Sequence, residues 1–220
     1  MNRYTKGLGS ALLLVGASLL AGCATTGSKQ EWDGLVRQPS TRLDAVFVRP
    51  DAEVRAYTSV LLDPIEVSFA RNWEPNRGGR SGLNRLNAED IEAIRTDLAQ
   101  IIREVVRAEL ERGGYKLVDT AGPDTLRVSA AIVDLYVSAP DTMPAGRSRT
   151  YTANSGRMTI VAELRDSMTG EILARAVDAR SGRNTGTFMV TNRVTNTADA
   201  RRAAGVWATA LRQALDEMYG

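Results

Sequence analysis

Apolar residues recur at helical spacing in two long stretches of the chain. The first stretch begins after Asn87, which forms a capping-box variant with Asp90, and it ends at Gly113-Gly114. Its apolar face comprises Ile91, Ile94, Leu98, Ile101, Ile102, Val105, Val106 and Leu110. The second stretch, capped by Asn196 or Thr197, has an apolar face made of Ala200, Ala203, Ala204, Trp207, Leu211, Ala214, Leu215 and Met218. Steps of three and four residues predict two amphipathic helices, each with one buried face.

Alternation of apolar and polar residues predicts the strands. It runs through residues 56–70, where Asp63-Pro64 interrupts it, and through residues 125–137 and 158–164. Because proline cannot donate a ladder hydrogen bond, the interruption indicates a bulge or an edge position. Shorter strands are predicted at residues 45–48, 115–118 and 172–177, the last joined to 158–164 by the turn 166–170 as an antiparallel hairpin. Pro39 and Pro50 break up residues 32–54, which are predicted to form an extended arm packed on the domain.

The order of these elements predicts a single α/β domain. Two helices with one apolar face each favour a two-layer sandwich, with a mixed, mostly antiparallel sheet of about five strands and two helices packed on it. If the first strand and residues 115–118 pair in parallel, the long helix between them should form a right-handed crossover.

The N-terminal segment differs in character from the rest. Arg3 and Lys6 precede an uncharged apolar run that ends in small residues at Gly22, a pattern typical of a secretory signal peptide. A membrane span needs about 20 predominantly apolar residues, and this interrupted run is too short for one. The sequence therefore predicts a signal peptide at 1–22, a small and polar tether at 23–31, and a folded domain at 32–220.

Leu20-Ala21-Gly22-Cys23 resembles the lipobox of bacterial lipoproteins. The resemblance implies cleavage before Cys23, diacylation of its sulfur and acylation of the new amino group. Several acyl chains on one residue hold a protein durably at a membrane, whereas one chain binds only marginally. Ala24 stands where an aspartate would indicate the inner membrane, so the resemblance implies the outer membrane with the domain facing the periplasm. The alternative is an ordinary signal peptide followed by an accidental cysteine.

Composition excludes several kinds of chemistry. The chain contains no histidine, and its single cysteine is Cys23. Zinc sites built from histidine and cysteine and nucleophiles activated by histidine are therefore excluded, and we expect no metal, no cofactor and no enzymatic activity. Removal of residues 1–22 takes Arg3 and Lys6 from the 28 basic residues and nothing from the 26 acidic ones, which leaves a neutral domain. Nucleic-acid binders carry a basic excess, so that function is not expected.

Three carboxylates, Asp63, Asp134 and Asp166, lie at predicted strand ends or turns, where catalytic groups are often found. No spacing in the sequence brings two of them to the roughly 5–9.5 Å that glycoside hydrolysis requires. Roles in turns and caps account for each of them more simply.

Three further segments carry a resemblance to a known family, and they are YTSVLLDP at 57–64, GPDTLRVSAAIVD at 122–134 and LRDSMTGE at 164–171. In this order and spacing, and with the lipobox, they are similar to Gram-negative lipoproteins grouped as domain of unknown function 3313. The resemblance covers residues 32–220. It implies a lipid-anchored envelope domain, and it supplies no activity and no catalytic residue.

Three irregular segments, 71–85, 139–156 and 181–196, are candidates for a binding surface at one end of the sheet. The candidate residues are Trp73, Arg77, Arg80, Arg85, Arg147, Arg149, Tyr151 and Arg193. Arginine together with aromatic residues suits a protein partner or an anionic glycan. The alternative is three solvated loops in an arginine-rich protein.

These patterns predict a protein held at the membrane through acylated Cys23, with a non-enzymatic domain that binds an envelope protein. The alternative function is a binding module for peptidoglycan or another anionic envelope polymer, which the arginine-bearing loops would contact.

Overall fold

A computed structural model describes residues 31–50, 52, 57–76, 85–137, 150–152, 156–182, 189–191 and 193–219. The predicted signal peptide and the lipidation site at Cys23 lie outside these residues. Among the helices of the described ranges, none is both long and apolar enough to cross a membrane.

The described residues form two sheets and two helices. The strands are β1 (Glu31–Trp32), β2 (Leu35–Gln38), β3 (Ala45–Val48), β4 (Ser59–Leu62), β5 (Glu66–Phe69), β6 (Lys116–Val118), β7 (Thr125–Val137), β8 (Thr150–Thr152), β9 (Gly156–Asp166), β10 (Ile172–Ser181) and β11 (Met189–Thr191). The helices are α1 (Ala88–Arg112) and α2 (Arg193–Tyr219). The large sheet has the order β1-β2-β3-β10-β9-β7-β4-β6, with β5 also paired to β7, and β8 and β11 form a separate pair.

The large sheet has nine strands, so the prediction of about five was wrong. Much of the difference comes from the N-terminal arm, because β1, β2 and β3 pair antiparallel and join the sheet through β10. Asp33 and Gly34, at φ 55° and 76°, form the two-residue turn between β1 and β2. An Asp-Gly pair is a strong hairpin signal, but strands of two and four residues are too short to show alternation.

Pro64 separates β4 from β5 along one side of β7. Both strands run parallel to β7, with Ser59 opposite Thr125 and Glu66 opposite Ala131. β6 pairs in parallel with β4. The sequence predicts a crossover through α1 when these two strands are parallel. The predicted interruption and the antiparallel β9–β10 hairpin are confirmed.

The helix ends follow their capping residues at α1 but not at α2. The Asn87 side chain accepts a hydrogen bond from the Asp90 amide at 2.8 Å, and the Asp90 carboxylate accepts one from the Asn87 amide at 2.9 Å. Gly113 follows as the C-cap. The prediction that Asn196 or Thr197 caps α2 was wrong, since this helix begins at Arg193. No glycine or proline lies between these positions, so nothing stops the helix from extending toward its N-terminus.

Both helices pack on one face of the sheet, which confirms the two-layer arrangement. The core between the layers includes Leu98, Ile102, Val106 and Leu110 of α1, Ala204, Trp207 and Leu215 of α2, and Val60, Leu126, Ile132, Ile160 and Leu164 of the sheet. The helices run in the same direction, because Glu104 pairs with Arg201 and Glu109 pairs with Arg212. Their N-terminal halves therefore lie over the same end of the sheet.

Candidate functional site

The three irregular segments leave the sheet at the same end. Phe69 at the end of β5 lies opposite Leu135 of β7, and Val137 at the end of β7 lies opposite Gly156 at the start of β9. The end of β10 pairs with the start of β9 as well. We call this the loop end of the sheet, and we call the opposite end, which carries the β9–β10 turn, the turn end. The attachment points of the segments thus converge as the sequence predicts.

Two of the segments also pair with each other. β8 runs antiparallel to β11, with Tyr151 opposite Val190. Strands of three residues carry no periodic signal, although the threonines, the tyrosine and the valine within them favour strands. The pairing joins segments 139–156 and 181–196 close to the start of α2.

The backbone at the loop end is irregular where β7 meets β9. The register shifts after Val133, and Asp134 has φ 53°, in the left-handed region that residues other than glycine rarely adopt. On the facing strand, Gly156 has φ 138°, and a Cβ there would lie 2.2 Å from the carbonyl oxygen of Tyr136. The Tyr136 ring lies beneath the guanidinium of Arg157, 4.5 Å from centroid to carbon. Such backbone conformations concentrate at functional sites, which makes the loop end a candidate.

A groove of about 270 Å³ opens at the loop end between the sheet and the N-terminal halves of α1 and α2. Apolar side chains form much of its lining, and they include Ile94, Leu98, Ile101, Leu135, Val137 and Met158. α2 contributes the small side chains of Ala200 and Ala203, which leave space that larger residues would fill.

The charged side chains at the rim of the groove are largely held by the fold. Asp90 belongs to the α1 cap, and Asp199 forms an ion pair within α2. Arg180 donates to Asp178 at 2.5 Å, and Asp178, only 1% exposed, also accepts from Trp207 Nε1 at 2.7 Å. The described residues contain no cluster of three potential metal ligands. The groove therefore offers an apolar surface, suited to an apolar group, whose border includes these fixed polar groups and the exposed Arg157.

The carboxylates considered for catalysis are dispersed. Asp63 accepts from Arg127 Nε at 2.8 Å. Asp134 lies at the loop end and Asp166 at the turn end, separated by most of the 11-residue strand β9, which extends about 3.3 Å per residue. The backbone amide of Thr169, followed by the hydroxyl of Tyr57, lowers the pKa of Asp166 from its ordinary value. Asp134 and Asp166 are thus far too distant to act as a glycosidase pair.

Comparison with known proteins identifies the family of the chain. The model for the protein family of unknown function DUF3313 matches residues 25–211. The chain belongs to this family. Among curated proteins, none matches the sequence.

Several solved structures resemble this DUF3313 member at low identity. The PelC dodecamer from Paraburkholderia phytofirmans is 14% identical, with 69% of this chain and 89% of that chain covered and a TM-score of 0.32. A minor lipoprotein from Acinetobacter baumannii is 10% identical, with 72% and 92% covered and a TM-score of 0.34. A protein from Xanthomonas campestris is 14% identical, with 72% and 83% covered and a TM-score of 0.41. These likenesses assign no ligand and no partner to this DUF3313 chain.

Trp73 is a predicted site residue of this DUF3313 chain whose side chain is described. Its ring stacks on Phe69 with the centroids 4.0 Å apart, and its Nε1 donates to the carbonyl oxygen of Val137 at 3.0 Å. Because Val137 also lines the groove, Trp73 lies beside the groove. The indole is half-buried, so part of it serves the fold and part remains accessible.

The other predicted residues are placed less fully. Arg85 is exposed just before α1, and the backbones of Tyr151 and Arg193 lie in β8 and α2. Outside the described residues lie Arg77, Arg80, Arg147 and Arg149. The groove itself escaped prediction, because Ile94 and Leu98 have the same helical spacing as residues of an ordinary core.

Proposed function

We propose that the chain is a lipid-anchored envelope protein whose folded domain binds a protein partner in the apolar groove at the loop end. The groove carries this proposal, since it is about 270 Å³ in volume and includes Ile94, Leu98 and Met158 in its lining. The energy of protein–protein binding is commonly concentrated in a few side chains buried in well-packed pockets. A groove of this volume has room for a large anchoring side chain of a partner.

The surroundings of the groove also support a protein partner. An interface typically has an apolar centre within a polar rim, and here Asp90 and Asp199 border the apolar lining. Trp73 offers an accessible aromatic edge beside the groove, and Ala93 is an exposed residue on its lip. Tryptophan is enriched among the residues that dominate binding energy.

Attachment through Cys23 completes the proposal. Cys23 precedes β1, which begins at Glu31, by eight residues, and an extended chain spans at most about 3.5 Å per residue. The domain would then stand within roughly 30 Å of the membrane, at the outer membrane and facing the periplasm, as Ala24 favours. Cys23→Ser is expected to release the protein from the membrane fraction. Full retention of this variant in the membrane fraction would contradict the anchor.

In this proposal the domain binds without catalysing a reaction. The alternative function is binding of peptidoglycan or another anionic envelope polymer. It is favoured by Arg71 and Arg157, two exposed arginines that line one recess at the loop end.

Site-specific photocrosslinking in intact cells tests the groove. A photoreactive phenylalanine analogue replaces either Ala93, which is exposed and lines the groove, or Ala108, which is exposed on the same helix and does not line it. We expect a crosslinked protein of one defined mass from position 93 and none from position 108. Equal crosslinking from both positions, or crosslinks from position 93 to glycan alone, would contradict the proposal.

A further inference from the structure

A second recess, of about 380 Å³, lies at the loop end. Arg157 and Thr159 line it, and they alternate along β9 with Met158 and Ile160, which belong to the core beneath the helices. Because successive side chains of a strand point to opposite faces, Arg157 and Thr159 belong to the face of the sheet away from the helices. The recess and the groove adjoin at the start of β9 and the end of β10, where Arg157, Met158, Arg180 and Ser181 line both.

Two arginines in the recess, Arg71 and Arg157, form no ion pair with another described residue, whereas most arginines of the described chain do. Arg127, Arg175 and Arg212, for example, each form an ion pair. Arg71 and Arg157 are exposed, and neither pairs with a carboxylate of the described residues. Arg157 instead rests on the ring of Tyr136, which fixes the guanidinium and leaves its hydrogen-bond donors available for a ligand.

The rest of the lining is polar and bears one carboxylate. Asp134 is exposed in the β7 bulge and lies within 4.0 Å of no described cation, so it neutralises neither arginine. Asn72 and Thr159 add an amide and a hydroxyl group. Arg180 also contacts the recess, but Asp178 already balances its charge. The lining thus combines two free guanidinium groups with acceptors and donors for neutral hydroxyl groups.

We propose that this recess binds an acidic sugar unit, an inference that rests on the alternative function of binding an anionic envelope polymer. The oxyanion of the sugar accepts hydrogen bonds from Arg71 and Arg157, and its hydroxyl groups pair with Asp134, Asn72 and Thr159. A bare anion would explain the arginines but not Asp134, which would repel it. A recess of 380 Å³ has the volume of on the order of ten water molecules, which exceeds what a single inorganic anion fills. Both the charge pattern and the size favour a charged saccharide.

Titration of the isotope-labelled full chain in mild detergent, followed through backbone amide shifts at Asn72, Thr159 and Ala179, tests this assignment. The probes are galacturonic acid and galactose, which differ in having a carboxylate or a neutral hydroxymethyl group. We expect saturable shifts with galacturonic acid, and galactose should bind at least about tenfold more weakly because it lacks the charge-assisted bonds. Equal binding of the two sugars would overturn the proposal.

Substitutions assign the effect to the recess. Arg71→Gln and Arg157→Gln should each weaken galacturonic acid binding by about tenfold, and Arg157→Lys should recover part of the loss. Arg103→Gln, on α1 and outside the recess, is the matched control and should bind as the unchanged chain does. Unchanged binding by both recess variants would overturn the proposal, and circular dichroism confirms that each variant is folded.

Two further probes separate the possible sources of the anion. Inorganic phosphate should compete with galacturonic acid, since both use the arginines, but it should bind more weakly because it cannot use Asp134. A blocked glutamate dipeptide that binds more tightly than galacturonic acid would show a site for peptide carboxylates and would overturn the saccharide assignment. Arg71 lines the recess but not the groove, so loss of sugar binding in Arg71→Gln is distinguishable from a change at the groove, where the crosslinks from position 93 originate.

Discussion

The two ends of the sheet differ in how their polar groups are satisfied. At the turn end, Asp166 accepts hydrogen bonds from the Tyr57 hydroxyl and the Thr169 amide, both at 2.7 Å. Ser167 exchanges two bonds with the backbone of Gly122, at 2.8 and 3.1 Å. Several of these bonds join segments that are distant in the sequence. The fold itself thus satisfies the side chains of Asp166 and Ser167.

At the loop end, the described side chains leave more of their bonding capacity open. Arg71, Arg157 and Asp134 form no ion pair with another described residue, and the apolar groove lies open beside them. Residues in binding sites often contribute little to stability, because polar groups that are kept available for a ligand form few bonds within the fold. One end of this sheet thus stabilises the domain, and the other leaves an apolar groove and several charged side chains open to solvent.

The largest expected effect lies at the turn end. Asp166→Ala removes the acceptor used by Tyr57, Met168 and Thr169. Hydrogen bonds to a charged group contribute about 1.5–3 kcal/mol, so we expect the free energy of unfolding to fall by about 3 kcal/mol. Urea unfolding measures this loss. Asp134→Ala at the loop end is the control and should change stability by less than about 1 kcal/mol. Equal losses of unfolding free energy in the two variants would contradict the claim that the turn end contributes more to stability than the loop end.

A second prediction concerns a position at the loop end where a substitution should lower stability. Gly156→Ala combines a positive φ with a Cβ 2.2 Å from a carbonyl oxygen, so we expect a loss of about 2–3 kcal/mol. Gly170→Ala has φ 73° but open space around the Cβ, so about 1 kcal/mol is expected. Thermal unfolding of both variants measures the difference. Similar losses of stability in the two variants would mean that the close approach of the added Cβ to Tyr136 does not destabilise the fold.

A smaller effect is expected at Trp73. Trp73→Phe keeps an aromatic ring against Phe69 but loses the bond from Nε1 to Val137, which should cost about 1 kcal/mol. If the exposed edge of the indole also touches the partner, crosslinking from position 93 should fall at conditions where the variant remains folded. A variant that loses stability and keeps its full crosslinking would assign Trp73 to the fold alone.

The smallest effect is a dependence on pH. The Thr169 amide and the Tyr57 hydroxyl lower the pKa of Asp166 below its ordinary value of 3.8. A carboxylate with a lower pKa in the folded state stabilises the fold above the unfolded value and loses that contribution as pH falls through the folded value. The stability gap between the unchanged chain and Asp166→Ala should therefore narrow below about pH 4. A gap that stays constant down to pH 2 would contradict this role.

The comparison also shows what the sequence could predict. Both helices, β7 and the β9–β10 hairpin carry long periodic patterns, and each was predicted close to its observed position. β1, β2 and β8 are too short to show alternation, and the Asp33-Gly34 turn is the local signal that favours the β1–β2 hairpin. The alternation in β7 breaks at the Asp134 bulge, because Ile132 and Val133 are both apolar and Asp134 is charged, and the register with β9 shows that this break is a bulge. Of the candidate site, the convergence of the points where the loops leave the sheet was predictable, whereas the groove depends on how two helices separate over the sheet.

The central claim, that a protein partner binds in the groove, is tested most directly by obstructing the groove. Ala93→Trp places a large ring on the lip of the groove, and Ala108→Trp adds the same ring to an exposed site elsewhere on α1. Each variant is tagged and purified from cells. The measured quantity is the amount of bound partner, which is the protein identified by crosslinking from position 93. We predict that Ala93→Trp retains less than about one tenth of the partner and that Ala108→Trp retains all of it. The added ring at position 93 should exclude the anchoring side chain of the partner, and loss of a central anchor commonly costs about 2 kcal/mol or more. Equal retention by the two variants would contradict binding in the groove.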